Sequence, residues 1–335
     1  MTMLSIGLLG AGRIGKVHAQ AIDRTPETTL VAVADVFAEA AQEVAEATEA
    51  EVRTIEAIIE ADDVDAVLIA TPTDTHADLI QQAARAGKAI FCEKPIDLDV
   101  ERVQACLQVV EETNAHLMVG FNRRFDPNFQ AAQAQIAAGA IGDVEMVTVI
   151  SRDPGPPPTS YLERSGGMFK DMTIHDFDMA RFLLGEEPVS VSATGSVLVD
   201  PAIADVPDID SGAVTLVTAS GKMAQISNSR RAAYGYDQRI EVLGSTGMVR
   251  ADNIHETTIE VAGSGGFRRD PLMEFFLERY MRSYEAEIAS FARTLLDGGA
   301  PDPSGADGLQ ALVLAEAAGR SMAERRTVDV TEILG

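Results

Sequence analysis

The first 120 residues alternate between short, continuous apolar runs and longer helical stretches, and this alternation constrains the fold most strongly. The apolar runs are Leu4–Leu9, Leu30–Ala34, Asp65–Ala70, Ala89–Cys92 and His116–Val119. The stretches between them are Arg13–Asp23, Ala38–Ala47, Thr75–Ala86 and Val100–Thr113. Short strands separated by helices indicate βαβ units, and continuous apolar runs indicate strands buried on both faces. The pattern therefore predicts an N-terminal, doubly wound parallel sheet of the Rossmann type.

After residue 120 strands predominate, and several of them alternate apolar and polar residues with a period of two. These strands are Val144–Ile150, Val189–Val199, Ser211–Thr218, Met223–Asn228, Gln238–Leu243 and Met248–Ala251. Two helical stretches, Pro271–Leu296 and Gly305–Glu324, follow them. This alternation is typical of a large, mostly antiparallel open sheet with one covered face. The chain of 335 residues is therefore predicted to be an α/β protein with two domains, residues 1–120 and 121–335.

Charge and cysteine content exclude several classes of function. The chain has 27 Lys and Arg against 52 Asp and Glu, a net charge of −25, which argues against binding to nucleic acid or to anionic membranes. Its two cysteines, Cys92 and Cys106, cannot form a disulfide framework. Because we find neither a signal peptide nor an apolar run of about 20 residues, we expect a cytoplasmic protein.

The segment Gly10–Gly15 has the pattern G-x-G-x-x-G at the junction between a predicted strand and a predicted helix. In dinucleotide-binding folds the first glycine permits a tight turn, the second allows the backbone to approach the pyrophosphate, and the third allows close packing. The helix N-terminus directs its free N–H groups at the phosphates. The alternative is a glycine-rich turn without a ligand. The motif residues assigned to the cofactor are Gly10, Gly12, Arg13, Ile14 and Gly15.

Asp35 ends the second predicted strand, 20 residues beyond Gly15. A carboxylate at this position can accept hydrogen bonds from both ribose hydroxyls, and it repels a 2′-phosphate. The next residues, Val36 and Phe37, supply no positive charge to bind that phosphate. These residues favour NAD over NADP as the cofactor.

Two further loops follow predicted strands at their carboxyl ends, where ligands bind in open α/β sheets. The first contains Thr71, Pro72, Thr73 and His76, which we assign to the cofactor, although His76 could equally be a helix-start residue without a ligand. The second contains Glu93 and Lys94, which we also expect near the cofactor. The Lys94 ammonium could stabilise an alkoxide on a substrate, or it could be paired with Glu93 or another carboxylate.

Asp171 and His175 lie four residues apart in a stretch whose apolar residues suit an amphipathic helix, which places both side chains on one face. A carboxylate beside an imidazole is the arrangement that a general base requires. A structural helix pair is the alternative. A zinc site is weakly supported, because His175 has neither a second histidine one turn away nor a cysteine nearby, and no metal is predicted.

Several other polar residues are candidates for substrate binding. Arg123 and Arg124 follow the last strand of the first domain, and Tyr234 and Tyr236 precede a strand of the second. Each pair could donate hydrogen bonds to hydroxyls or could anchor the domains. The proline-rich segment 152–159 is predicted to be a loop at the mouth of the site or a surface linker.

The chain resembles the Gfo/Idh/MocA oxidoreductases over almost its whole length. The resemblance rests on Asp35 and on four motifs, which are Gly10–Gly15, Glu93-Lys94-Pro95, Gly120–Asp126 and Asp171–His175. The resemblance implies that Lys94, Asp171 and His175 are catalytic and bind substrate together with Arg123 and Tyr236. It also implies a homotetramer formed through the outer faces of the C-terminal sheets. Ser151-Arg152-Asp153 stands where some relatives that act on inositol have H-R-N, and we include Asp153 in the substrate set.

The resemblance implies NAD-dependent oxidation of a secondary alcohol of a cyclic polyol, with myo-inositol as the first choice and a role in polyol catabolism. The hypothesis requires Lys94 and His175 to act together at one nicotinamide ring. Oxidation of scyllo-inositol, a hexose or a related sugar is an alternative. Two alternatives from other classes are glycoside cleavage with transient use of NAD and regulation by a non-catalytic dinucleotide-binding protein.

Overall fold

The computed structural model describes residues 3–334, which form two compact units. One unit contains the chain up to Phe125 together with Met281–Leu312, and the other contains Asp126–Tyr280 together with the chain from Val313 onward. Among residues 3–334, no helix has both the length and the apolar character needed to cross a membrane.

The first unit is built on a sheet of six parallel strands in the order β3-β2-β1-β4-β5-β6. The strands are β1 (Leu4–Leu9), β2 (Thr28–Ala34), β3 (Glu51–Val52), β4 (Ala66–Ile69), β5 (Ala89–Glu93) and β6 (Leu117–Gly120). The predicted doubly wound parallel sheet is confirmed, and the apolar side chains of its central strands are buried. Strand β3 was not predicted, because its two residues are exposed and form no apolar run.

Helices connect these parallel strands. They are α1 (Arg13–Arg24), α2 (Ala38–Thr48), α3 (Ile55–Glu60), α4 (His76–Arg85) and α5 (Val100–Thr113). Helix α3 was not predicted; it is short, and it begins at Thr54, whose hydroxyl accepts a hydrogen bond from the Ala57 N–H. Helix α5 begins similarly at Asp99, whose carboxylate accepts from the Arg102 N–H. These side-chain caps supply partners that the first backbone N–H groups of a helix lack.

Gly10 and Gly15 allow β1 and α1 to approach closely. Gly10 has a φ of +101°, a backbone conformation that favours glycine. A Cβ atom at Gly15 would lie 2.0 Å from the Gly10 carbonyl oxygen, far inside contact distance. Gly12 is different, because a Cβ atom there would meet no atom within 4 Å and its φ of −69° is ordinary.

The second unit is built on a seven-stranded sheet in the order β12-β11-β7-β10-β9-β8-β15. The strands are β7 (Val144–Arg152), β8 (Pro188–Ser196), β9 (Ser211–Thr218), β10 (Met223–Ser229), β11 (Asp237–Gly244), β12 (Gly247–Ala251) and β15 (Val328–Asp329). Strands β7 and β10 pair in parallel, and the other neighbours are antiparallel, which confirms the predicted mostly antiparallel sheet.

The remaining elements include several that were not predicted. The helices outside the first unit's sheet are α6 (Pro127–Ala137), α7 (Thr159–Ser165), α8 (Met168–Asp171), α9 (Ile174–Leu184), α10 (Phe276–Leu296), α11 (Gly305–Glu324) and α12 (Thr331–Leu334). The boundaries between the two units fall within α10 and α11. Strands β13 (Glu260–Gly263) and β14 (Gly266–Arg269) form a separate, exposed hairpin. Helix α10 begins at Phe276 rather than at the predicted Pro271.

Asp126 joins the start of α6 to a buried arginine within the second unit. One of its oxygens accepts hydrogen bonds from the backbone N–H groups of Asn128 and Phe129, and the other accepts from the Arg279 guanidinium. Asp126 and Arg279 are both buried. Burial by itself lowers the pKa of Arg279, but the hydrogen bond to Asp126 holds that pKa above its usual range.

We expect Gly15→Ala to lower the free energy of unfolding by about 1–3 kcal/mol, because its methyl group must displace backbone rather than a flexible side chain. Gly12→Ala is the matched control and should change stability by no more than about 0.5 kcal/mol. Urea denaturation of both variants measures the difference. Equal stabilities of the two variants would show that a methyl group fits between Gly15 and the Gly10 carbonyl oxygen.

We expect Asp126→Ala to lower the free energy of unfolding by about 3–5 kcal/mol, because it removes a helix cap and leaves the Arg279 charge buried without its carboxylate. Asp99→Ala removes a comparable cap from the more exposed start of α5 and should cost only about 1 kcal/mol. Denaturation of the two variants side by side tests the buried pair. A loss for Asp126→Ala no larger than that for Asp99→Ala would contradict it.

Candidate active site

Five of the predicted segments lie at one edge of the parallel sheet in the first unit. They follow β1, β2, β4, β5 and β6 at their carboxyl ends, and they are Gly10–Gly15, Asp35, Thr71–Thr73, Lys94 and Arg123. Parallel pairing brings the carboxyl ends of all strands to the same edge, where ligands bind in open α/β sheets. The fold therefore brings these segments, which are far apart in sequence, to a common edge.

The start of α1 fits the phosphates of a dinucleotide. Gly12 and Arg13 are exposed and Ile14 is partly exposed. Within the described chain no side chain caps α1 at Gly12, so the first backbone N–H groups of the helix remain available for an anion. The space beside Gly12 that a Cβ atom would fill is open, as close approach of a pyrophosphate requires.

Asp35 is fixed by the backbone on both sides of its carboxylate. One oxygen accepts a hydrogen bond from the Ala11 N–H at 2.7 Å, and the other accepts from the Phe37 N–H at 2.8 Å. The carboxylate is therefore tied to the glycine-rich turn. Val36 and Phe37 are exposed and carry no charge, so this corner suits ribose hydroxyls rather than a 2′-phosphate.

His76 connects the loops that follow β4 and β5. Its ring is buried at the start of α4, with Nδ1 2.8 Å from the Pro95 carbonyl oxygen and Nε2 2.8 Å from the Thr71 carbonyl oxygen. The loop Thr71–Thr73 is also joined to Thr75, because the hydroxyls of Thr71 and Thr75 are 2.7 Å apart and form a hydrogen bond. The imidazole thus connects the loop that contains Pro72 with the loop that contains Lys94.

Glu93 is the last residue of β5 and Lys94 follows it, and both are partly exposed. One Glu93 oxygen lies 2.7 Å from His18 Nε2, and the other accepts a hydrogen bond from the Lys94 backbone N–H at 3.2 Å. The Glu93 carboxylate therefore holds the backbone at the residue that presents the lysine ammonium.

Arg124 is an anchor within the first unit. Its guanidinium donates hydrogen bonds to Asp302 at 2.9 Å and to Asp307 at 2.8 Å. Burial alone would raise the pKa of Asp307, but the Arg124 charge and the hydrogen bonds lower it to about 2. Arg123, its neighbour in the 3-10 turn Asn122–Phe125, is also buried.

Asp171 and His175 do not lie on one continuous helix, which corrects the predicted arrangement. Asp171 ends the short α8, and His175 belongs to the first turn of α9. Met172 and Thr173 between them retain right-handed helical dihedral angles. The interruption coincides with the buried Thr173, whose hydroxyl donates to the Asn228 side chain at 2.9 Å rather than to the helix.

Side chains from distant parts of the second unit hold the Asp171–His175 segment. One Asp171 oxygen accepts from the Tyr161 hydroxyl at 2.7 Å, and the other accepts from the Arg230 guanidinium at 3.2 Å. Asn228 on β10 contacts Thr173 and also donates to Asp176 at 2.7 Å. Tyr161, Asn228 and Arg230 were not predicted from the sequence. The position of Arg230 just after a strand was the available signal.

The other two candidates of the second unit lie near the ends of β7 and β11. The Asp153 backbone N–H donates to the Ser229 carbonyl at 3.0 Å, and its side chain is partly exposed. Tyr236 is buried, with its ring edge-on to Tyr280 at 5.9 Å between centroids. Tyr234, which was considered together with Tyr236, donates instead to the buried Asp237 at 2.6 Å.

Comparison with known proteins identifies the family of both parts of the chain. Residues 4–121 match the model of the oxidoreductase family with an NAD-binding Rossmann fold. Residues 129–250 match the model of the GFO/IDH/MocA C-terminal domain.

Relatives match the chain over nearly their full lengths. The inositol 2-dehydrogenase of Rhizobium meliloti (strain 1021) is 63% identical, covering 97% of this chain and 98% of the relative. The myo-inositol 2-dehydrogenase of Thermotoga maritima is 43% identical, covering 99% and 100%. A crystal structure of scyllo-inositol dehydrogenase from Lactobacillus casei, with NAD(H) and scyllo-inositol bound, is 30% identical with a TM-score of 0.92, covering 98% and 100%. The chain is therefore a member of the Gfo/Idh/MocA family of oxidoreductases, and its first unit carries that family's NAD-binding Rossmann fold.

Proposed function

We propose that this protein is an NAD-dependent dehydrogenase that oxidises a secondary alcohol of a cyclic polyol, with myo-inositol converted to 2-keto-myo-inositol. The observation that carries the proposal is 63% identity, over 97% of the chain, to the inositol 2-dehydrogenase of Rhizobium meliloti. The chain has the residues that such a reaction needs. A glycine-rich turn and Asp35 suit NAD, and Lys94, Asp171 and His175 supply a cation, a carboxylate and a base.

The residues at the edge of the first sheet fit NAD. The open space at Gly12 and the uncapped start of α1 suit the pyrophosphate, and the fixed Asp35 carboxylate suits the adenosine ribose. We assign Thr71–Thr73, with His76 bracing them, and the Glu93–Lys94 segment to the same cofactor. When NAD is bound, it supplies the hydride acceptor for oxidation of the alcohol.

We assign the proton transfer to His175, which accepts the hydroxyl proton of the reacting alcohol on its imidazole. Asp171 stabilises the protonated ring, and Tyr161 and Arg230 fix its carboxylate. Lys94 donates a hydrogen bond to the reacting oxygen and favours its alkoxide form. The buried contacts of Asn228 with Thr173 and Asp176 keep the base-bearing segment in place.

Arg123, Asp153 and Tyr236 are proposed to bind the other hydroxyls of the polyol. The guanidinium and the phenol can donate hydrogen bonds, and the carboxylate can accept them. Ser151-Arg152-Asp153 puts a carboxylate at the third position of the motif that is H-R-N in some relatives. We therefore propose that this chain binds a substrate hydroxyl through the Asp153 carboxylate, where those relatives have the amide of an asparagine.

A second candidate substrate is scyllo-inositol, favoured by the Lactobacillus casei scyllo-inositol dehydrogenase, whose fold this chain shares at a TM-score of 0.92. The lower identity of 30% ranks it behind myo-inositol. NADH formation with a panel of inositols and hexoses separates the candidates. Release of a sugar from a glycoside without net NADH would indicate the glycoside-cleaving alternative. NAD binding without turnover on any substrate would indicate a regulator.

We also propose a cytoplasmic homotetramer in which residues 1–120 bind NAD and residues 121–335 bind substrate and other copies of the chain. The seven-stranded sheet supports this assembly. Helix α9 packs on the face that includes Val147 and Val149, whereas no element among residues 3–334 covers the opposite face, which carries Ile150, Ala213 and Thr215. The net charge of −25 makes nucleic acid and anionic membranes unsuitable partners.

We expect His175→Ala to lower kcat by about 10²–10⁴-fold, the usual contribution of a general base, and to leave the Kd for NAD within about twofold. His255→Ala is the matched control, since His255 lies in the same unit and its Nδ1 is bonded to the Asp270 carbonyl. Steady-state kinetics with myo-inositol and titration with NAD measure the two effects. Turnover of His175→Ala at the wild-type rate would disprove the assigned base.

The tetramer predicts a mass in sedimentation equilibrium of four times that of the chain. Ala213→Arg places a charge on the uncovered face of the sheet and should reduce the assembly to smaller species. Ala86→Arg, at the exposed end of α4, is the control and should leave the mass unchanged. A wild-type protein that sediments as a monomer would contradict the proposed assembly.

A further inference from the structure

A buried cluster of titratable groups lies behind Lys94 in the first unit. It consists of His18 on α1, Glu93 at the end of β5 and Glu287 on α10, with one potential ligand atom from each lying within 4.8 Å of the others. The side chains of His18 and Glu287 are fully buried, and that of Glu93 is 12% exposed. The proposed reaction assigns no role to His18 or Glu287.

Glu93 is held on three sides. His18 Nε2 lies 2.7 Å from one carboxylate oxygen, and the Lys94 backbone N–H donates to the other at 3.2 Å. Gly120, the partner of Glu93 in the pairing of β5 with β6, lies under the carboxylate. A Cβ atom at Gly120 would be 3.3 Å from the carboxyl carbon and from both oxygens of Glu93. The carboxylate therefore has little room to move.

The His18 ring is packed so that one tautomer is favoured. Phe91 and Tyr284 contact it edge-on, with centroid distances of 5.2 and 5.4 Å. Its Nδ1 is buried and finds no hydrogen-bond partner among residues 3–334. The ring nitrogen that has a partner is therefore Nε2, which donates to the Glu93 carboxylate.

Glu287 is fully buried in this cluster. Both of its carboxyl oxygens are buried without a hydrogen-bond partner in the described part of the chain. Burial raises the pKa of Glu287 well above its usual range, and the negative charge of Glu93 raises it further. An ionised Glu287 would place a second negative charge beside Glu93 and repel it. The protonated carboxyl leaves Glu93 as the negative charge that holds the lysine backbone.

We propose that His18 and Glu287 are positioning residues for Lys94. His18 and Gly120 fix the Glu93 carboxylate, and Glu93 holds the Lys94 backbone. Glu287 lies beside Glu93 and preserves this arrangement as long as it adds no second negative charge. The inference rests on the proposed catalytic role of Lys94.

The same groups could instead ligate a divalent metal, but two features argue against it. The 2.7 Å between His18 and Glu93 is a hydrogen-bond distance. It is shorter than the roughly 3.3 Å that separates two atoms bound tetrahedrally to zinc. A ligating histidine also usually donates its second ring N–H to a partner, and Nδ1 of His18 has none in the described chain.

The first experiment tests the protonation of Glu287 without using activity. In the folded protein Glu287 keeps a proton that the unfolded chain releases above the ordinary glutamate pKa, so the stability of the wild type should fall as pH rises from 5 to 8. Glu287→Gln lacks this proton. The ratio of its unfolding equilibrium constant to that of the wild type should therefore fall by up to about tenfold for each unit by which the pH rises.

Glu285→Gln, on the same helix but in an exposed pair with Arg24, is the control and should follow the wild-type pH dependence. Parallel pH curves for Glu287→Gln and wild type would overturn the claim that Glu287 is neutral. If calorimetry shows that the wild type binds one equivalent of Zn²⁺ and that His18→Ala does not, the cluster is a metal site and the positioning proposal is overturned.

The second experiment tests positioning. His18→Ala and Gly120→Ala should each lower kcat with myo-inositol by about 10–100-fold, as small misplacements of a reacting group do, with little change in the Kd for NAD. Gly120→Ala removes no titratable group but crowds the Glu93 carboxylate, and it serves as the second test if the His18 variant fails to fold. Glu287→Gln should retain most of the kcat, because it preserves shape and neutrality.

If both His18→Ala and Gly120→Ala have the wild-type kcat, the cluster does not position Lys94 and the proposal is overturned. If the wild type itself oxidises no polyol, the proposed function fails, while the pH dependence of stability still reports on Glu287. The two failures are therefore distinguishable.

Discussion

Parallel hydrogen bonding in the first sheet is the constraint on which the rest of the site depends. Because β1, β2, β4, β5 and β6 all run in one direction, each ends at the same edge, and the polar residues that follow them are brought together. No single segment there forms a site. In the proposed function, the glycine-rich turn is assigned to the phosphates of NAD, Asp35 to its ribose, and Lys94, from a loop further along the edge, to the reacting alcohol.

Polar contacts then fix these loops relative to one another. Asp35 bonds to the turn at Ala11, His76 bridges the carbonyls of Thr71 and Pro95, and Glu93 holds the Lys94 backbone. In the second unit the Asp171–His175 segment is held in the same manner, by side chains from β10 and α7. The carboxylates of Asp35 and Asp171 are each held by residues outside their own segments, and fixed positions of this kind are what keep reacting groups within the small tolerance that catalysis requires.

The sequence predicted those features that depend on local pattern. Continuous apolar runs marked the parallel strands, and the spacing from Gly15 to Asp35 marked the cofactor loop. Features that depend on distant contacts were not predictable. Arg230 lies 59 residues from the carboxylate it holds, and Glu287 belongs to α10, nearly 200 residues after Glu93 in the sequence. The break between α8 and α9 was missed because Met172 and Thr173 retain helical dihedral angles, so apolar spacing continues across it.

Transfer of deuterium from substrate to cofactor is the decisive test of polyol oxidation by this protein. The wild-type protein is supplied with NAD and myo-inositol that carries deuterium on the carbon to be oxidised, and the reduced cofactor is analysed by mass spectrometry. We expect one deuterium in each molecule of reduced cofactor and a slower rate than with unlabelled substrate. Reduced cofactor without deuterium, or label lost to water, would contradict direct hydride transfer from the polyol.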